Sequence, residues 1–166
     1  MKIDEAIECL EKKILDPSQG LPEDVFYFAS RITPLVNVDL LIKDKQNRTL
    51  LTWREDSFGP LGWHVPGGII RYKERLEDRI KAVANSELGC EVEFDSAPLA
   101  INELILDRKT RGHFISLLYN CRLLTPLDEK IKCCNPESPG SNEWQWHDFC
   151  PANLIPVHDD IYREFI

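Results

Sequence analysis

The residues whose types and spacing could do chemistry cluster in one stretch, GWHVPGGIIRYKERLEDRIKAVANSELGCEV, residues 62 to 92. A glycine pair, Gly67-Gly68, precedes a charged helical segment that ends at Glu87-Leu88-Gly89. A glycine turn feeding such a helix can hold a divalent cation against a diphosphate. The turn offers a backbone carbonyl and close approach, and the helix offers carboxylate oxygens on one face. Mg²⁺ takes hard oxygen ligands and keeps waters and substrate phosphates in its shell. An acid near a helix C-terminus opposes the dipole, so Glu87 points to a ligand role, the alternative being a solvated surface glutamate. Glu74, in the first helical turn, is explained by helix electrostatics. Asp39 sits inside an apolar strand, where a buried carboxylate needs a partner. Arg54 ends the following strand and suits bidentate phosphate contact, or serves as an ordinary strand-end charge.

These residues need elements to position them. Residues 3 to 15 read as an amphipathic helix with Ile3, Ile7, Leu10 and Ile14 as its stripe, and 23 to 32 as a second short helix. Residues 34 to 44 and 49 to 54 read as two strands around the polar turn KDKQNR. A loop over 55 to 62, a short strand at 63 to 66 and a tight Gly67-Gly68 turn, where positive φ would favour glycine, follow. A helix over 74 to 88 carries Leu76, Ile80, Val83, Ala84 and Leu88 as its buried stripe. Residues 90 to 106 are strand-rich, and 113 to 124 form the clearest long strand. A proline-bearing loop over 124 to 142 has a length that usually marks function or mobility. Residues 143 to 149 return as a strand, and 151 to 156 and 159 to 166 close as short helices. The order gives an α+β class, a mixed sheet flanked by helices in one domain.

Gly68, five residues, Glu74, and then Glu87-Leu88-Gly89-Cys90 resemble the Nudix box, GX5EX7REUXEEXGU. Ala82 falls on the box arginine, Val83 on the next glutamate and Ser86 on the first of the paired glutamates. The flanks TPLVNVDLLI, TLLTWR, GWHVPGG, HFISLLYNCRL and EWQWHDF…NLIPVHDD are similar to the GDP-mannose mannosyl hydrolase branch of that superfamily. The resemblance runs from about Leu21 to the C-terminus and leaves residues 1–20 as a helical extension to a 21–166 Nudix domain. It implies the Nudix fold, a mixed β-sheet sandwiched between α-helices, a homodimer and a nucleoside diphosphate sugar as substrate. The cofactor it implies is Mg²⁺, with Mn²⁺ as the alternative, held by Glu87 and a Gly67 or Gly68 carbonyl, with Asp39 and Arg54 on the nucleotide. Two family arginines fall on Ile69 and Ala82; Arg71 and Arg79 lie nearby as substitutes. The family's loop glutamine and catalytic histidine fall near Gly140 and Ser141, where neither side chain is present; Glu143, Glu137, His113 and His147 are the nearby candidates for a base, and His113 is preferred.

Residues 83, 86 and 87 would share one helix face, so a full box clusters carboxylates and this one keeps a single acid. One metal suits a departing nucleoside diphosphate while water attacks the sugar carbon; it suits less well a water activated between metals for attack on phosphorus. Two other readings stay open, a Nudix-fold binder without turnover and a pyrophosphohydrolase of another nucleoside diphosphate derivative. Trp63, Trp144 and Trp146 read as packing residues and His158 as a structural hydrogen-bonder. A net charge of −8 over 166 residues argues against nucleic acid and anionic membrane as partners. No apolar run approaches the ~20 residues that span a bilayer, and the charged start is no signal peptide. The six cysteines are scattered without a CxxC pair, which favours reduced thiols and a cytoplasmic setting over zinc or disulfides.

Overall fold

The computed structural model describes residues 2–55 and 59–166. Part of the loop expected over 55 to 62 therefore lies outside the described residues. Two sheets form where a single one was expected. The larger is built from β1 (Leu35–Ile42), β4 (Gly67–Ile69), β5 (Val92–Phe94), β6 (Ala100–Ile105) and β7 (His113–Leu123). Its order is β4-β1-β7-β5, with β6 also pairing β7. The smaller contains β2 (Thr49–Arg54), β3 (Gly62–His64) and β8 (Trp144–His147) in the order β3-β2-β8. The larger sheet is mixed, because β1 runs parallel to β7 from Leu35–Phe114 to Ile42–Cys121 while β4, β5 and β6 pair antiparallel.

β1 is a central strand with a parallel neighbour and buries residues on both faces, with Asn37 and Asp39 as polar exceptions on one of them. Val38, Leu40 and Ile42 pack with Ile80, Val83, Ala84 and Leu88 of α3 (Leu76–Leu88). Leu41, on the other side, joins Leu51, Trp63, Val65, Leu118 and Tyr162. The helix ends at Gly89, whose φ of 62° is a left-handed cap, a conformation that costs glycine little. Trp63 and Trp144 are buried, as packing residues should be.

Four expectations change. The Gly67-Gly68 segment is an edge strand, and neither glycine has positive φ among the described residues. The first helix, α1 (Ile3–Glu11), stops four residues short and buries none of its side chains; Ile3 and Ile7 are 79% and 48% exposed. The second helix, α2 (Glu23–Ala29), also ends early, at the Ser30 cap. The closing helix, α4 (Pro156–Tyr162), begins where a helix over 151 to 156 was expected to end; proline sits well at a first helical position. No helix among the described residues is long and apolar enough to cross a membrane, and the six cysteines are free.

Candidate functional site

The strand pairing explains the glycine pair. Leu40 N–H donates to the Pro66 carbonyl at 2.8 Å and Ile70 N–H to the Val36 carbonyl at 2.9 Å. Antiparallel pairs alternate between bonded and non-bonded positions, so Val38–Gly68 lies on the ladder and Asp39–Gly67 does not. The Gly68 carbonyl is therefore committed to β1, while Gly67 turns its N–H and C=O to the free edge. Close approach, and not positive φ, selects glycine here. A Cβ on Gly67 would strike the Asp39 carboxylate, and one on Gly68 would lie 2.8 Å from Val83 Cγ2.

Glu87 projects from the last turn of α3 to this free edge. Its carboxylate accepts the Gly67 amide, Thr52 Oγ1 donates to Oε2 at 3.3 Å, and His64 Nε2 lies 3.8 Å from the same oxygen. Burial pushes the carboxyl up to about 8; the Gly67 and Thr52 bonds pull it down, the Asp39 charge raises it and the Arg54 charge lowers it. Val83, one turn earlier, is core beneath Gly68, and Ser86 is exposed with its hydroxyl 3.4 Å from the Val83 carbonyl. The three helix positions thus point to core, solvent and cleft, and of the three only position 87 brings an acid to the cleft.

Asp39 is 3% exposed. Three donors converge on its Oδ2: Asn37 Nδ2 at 2.9 Å, Tyr162 Oη at 2.6 Å and the Ser116 hydroxyl. Its other side faces Gly67. Burial raises this carboxyl to about 6, against the three donors that favour its charged form. The clamp follows from register: Asn37 lies opposite Ser116 in the parallel pair, and Asn37 and Asp39 share a face of β1.

A cleft of about 360 Å³ joins these groups, lined among others by Asp39, Arg54, His64, Gly67, Gly68 and Glu87. Ser141 and Asn142 line it too, where the catalytic loop residues were sought. His158, in the same cleft, is structural as expected: its Nδ1 accepts the Val65 amide at 3.0 Å, and burial with the His64 and Arg54 charges holds it neutral.

Three expected residues lie elsewhere. His113 pairs with Glu103 at 3.2 Å and is not among the cleft-lining residues. The Glu143 carboxylate accepts the Gly140 amide at 2.9 Å, capping its own loop. Arg71 is exposed; its amide donates to Glu74 at 2.8 Å. Arg79 is spent on the same glutamate, through Nε at 2.9 Å and Nη2 at 2.8 Å. Burial works to raise Glu74, yet the Arg71 amide and Arg79 guanidinium hold it below the usual range. His147 is drawn down to about 4 by burial and meets Trp63 edge-to-face, with ring centroids 4.6 Å apart. Sequence reasoning missed Asn37, Thr52, His64, Ser116 and Tyr162, together with Arg108 and Arg111 on the cleft wall. The strand alternation around Asp39 was the available signal for Asn37; Tyr162, 123 residues away, had none.

No three acidic, histidine or cysteine side chains come together as a metal cage among the described residues. The donor set still fits a magnesium-type cation, which takes few protein oxygens and relies on substrate phosphates and water. A buried acid at a strand edge too tight for any Cβ is such a cradle. Glu87 and the Gly67 carbonyl would hold the ion.

Known structures share this fold. The MutT NUDIX hydrolase from Burkholderia pseudomallei superposes with a TM-score of 0.60 at 20% identity, covering 75% of this chain and 92% of its own. A hydrolase of the NUDIX family from Clostridium perfringens gives 0.56 at 16% identity, over 80% of this chain and 96% of its own. This is the Nudix fold. A UDP-X diphosphatase with the same fold covers 96% of this chain and 75% of its own, at a TM-score of 0.58 and 18% identity. No protein-family model matches the chain. In sequence, the low-salt glycan biosynthesis protein Agl8 of Haloferax volcanii is 36% identical over 80 residues, 48% of this chain. The match spans about half of that relative's length, 51%.

Proposed function

We propose that this Nudix-fold protein is a divalent-metal-dependent hydrolase of a nucleoside diphosphate sugar that releases free sugar and nucleoside diphosphate. One observation carries the proposal: the half-buried carboxylate of Glu87 meets the Gly67 edge in a cleft shared with Asp39 and Arg54. A Mg²⁺ ion, or Mn²⁺, would neutralise charge on the departing diphosphate. The chain's own residues do the rest. Arg54 offers a fork to the phosphate oxygens. Asp39, fixed through Oδ2, keeps one oriented carboxylate beside the nucleotide. Of the three helix positions 83, 86 and 87 only Glu87 brings a carboxylate to the cleft, so the helix offers no acid cluster to flank a water for attack on phosphorus, which favours attack at the sugar carbon. The stretch similar to a glycan biosynthesis protein supports a sugar-bearing substrate, and a homodimer belongs to the same reading.

Incubation with a panel of nucleoside diphosphate sugars and Mg²⁺, with products separated by chromatography, tests it. Free sugar plus nucleoside diphosphate is expected. Nucleoside monophosphate plus sugar phosphate would move the attack to phosphorus and make the protein a pyrophosphohydrolase. The positions of His113 and Glu143 outside the cleft favour a second reading, a binder without turnover. Ligand-induced thermal stabilisation with no product from any substrate would establish it.

A further inference from the structure

The connection between β6 and β7, residues 106 to 112, reads LDRKTRG and carries Arg108 and Arg111 to the cleft wall. It is a braced turn. Leu106 N–H donates to the Gly112 carbonyl at 2.7 Å and Arg108 N–H to the Leu106 carbonyl at 2.8 Å. Arg111 N–H donates to Ser30 Oγ at 3.1 Å, which ties the turn to the end of α2. Arg111 holds a φ of 54°, uncommon for a residue with a Cβ and a conformation that clusters at functional sites. Gly112 has no space to grow, since a Cβ there would lie 2.8 Å from the Arg108 carbonyl.

Arg108 and Arg111 line the same cleft as Arg54. Three arginines thus line one concavity, beside the carboxylates of Asp39, Glu55 and Glu87. Cations placed so are what an anionic ligand requires. Leu104, Leu106 and Phe114 lie along the same wall, giving an apolar surface beside the cations. Meanwhile the helix-side positions are empty of cations: residue 69 is Ile, residue 82 is Ala, and Arg79 is held by Glu74.

We propose that Arg108 and Arg111, with Arg54, form the anion-binding wall of the cleft and grip the diphosphate of the ligand from the β6–β7 side. This rests on the reading of the ligand as a nucleoside diphosphate derivative. Planar guanidinium forks match phosphate oxygens two at a time, which a lysine cannot reproduce. The hairpin takes over a task that the box helix no longer performs.

Calorimetric titration of the whole chain with inorganic pyrophosphate, in low salt and without added metal, tests the wall directly. R108Q and R111Q are each expected to weaken pyrophosphate binding about tenfold, and the pair about a hundredfold. Gly112→Ala, which keeps both side chains and displaces the turn, should weaken it as well. R122Q, at the far end of β7 and paired with Glu93 and Asp95, should bind as wild type. The wild type's affinity should fall more steeply with salt than the double variant's. A folded double variant, judged by its circular dichroism and thermal midpoint, that binds within twofold of wild type overturns the proposal. So does a wild type that binds no pyrophosphate. Binding lost in the double variant sustains the wall even where the sugar panel gives no turnover. Turnover that survives the double substitution removes the wall and leaves the hydrolase reading standing.

Discussion

Among the described residues, two histidine–glutamate pairs look alike as residue types and differ in separation, exposure and surroundings. His113 and Glu103 meet at 3.2 Å across the β6–β7 ladder, with side chains 37% and 63% exposed. His64 and Glu87 stand 3.8 Å apart inside the cleft, at 16% and 22%. The shorter pair is a surface contact of the kind that contributes at most about 1 kcal/mol. The longer pair surrounds a carboxyl pushed up to about 8 by burial, with the Gly67 amide, Thr52 hydroxyl and Arg54 charge only partly offsetting it. Proximity alone does not mark a site. A charge-bearing group held where its charge is disfavoured does.

The largest effect should come from breaking the buried pair. Glu87→Gln is expected to lower turnover of a nucleoside diphosphate sugar by about 10³-fold, since loss of a metal ligand removes several kcal/mol of charge stabilisation. Steady-state kinetics across Mg²⁺ concentrations would show it, and unchanged kcat would sink the role of Glu87. The same carboxyl sets a pH dependence. Its folded value near 8 lies above the ordinary 4.5, so the native state binds the extra proton between those values. Metal-free stability should then fall as pH rises from about 4.5 to about 8, with Asp39 adding a smaller loss between 3.8 and about 6. Thermal midpoints measured in chelator should show the decline, and Glu87→Gln should flatten most of it. Mg²⁺ affinity should rise over the same window, because ion and proton compete for one carboxylate.

Smaller effects sharpen the contrast. Gly67→Ala forces a methyl onto Asp39 and to within 2.8 Å of the Val38 carbonyl, and is expected to cost roughly 1–3 kcal/mol in urea unfolding. Tyr162→Phe removes one of three donors to Asp39 and should cost about 1–3 kcal/mol, with the Asp39 carboxyl shifted further up. A carbon-labelled aspartate titration would detect that shift, and an unmoved value would mean that Tyr162 does not clamp the group. Smallest of all, His113→Ala should change stability by less than about 0.5 kcal/mol and turnover by less than twofold. A loss of kcat there would reverse the ranking of the two pairs.

How much of this was legible in the sequence depends on the range of each interaction. The strand at residues 35–42, the helix through Glu87 and the Gly89 cap announced themselves by local period and punctuation. Gly67-Gly68 was legible as a special position, but for the wrong physical reason: a turn was expected where an edge strand presses against Asp39 and Val83. Asp39 was legible as a buried acid needing partners, while the identity of two partners rests on contacts 77 and 123 residues away. His113 was attractive because it opens a long strand, yet nothing local reveals that its ring would meet Glu103 instead of the cleft. Arg108 and Arg111 carry no local signal, since only the fold of β6 against β7 brings them to the wall.

The hydroxyl of Tyr162 on Asp39 joins β1 to the last helix across 123 positions. Such a contact closes a long loop before packing rewards it. Without α4 in place, Asp39 loses one of its three donors and keeps Asn37 and Ser116. The orientation of the carboxylate that faces the cleft is thereby tied to the docking of a helix at the other end of the chain, with the tyrosine as its latch.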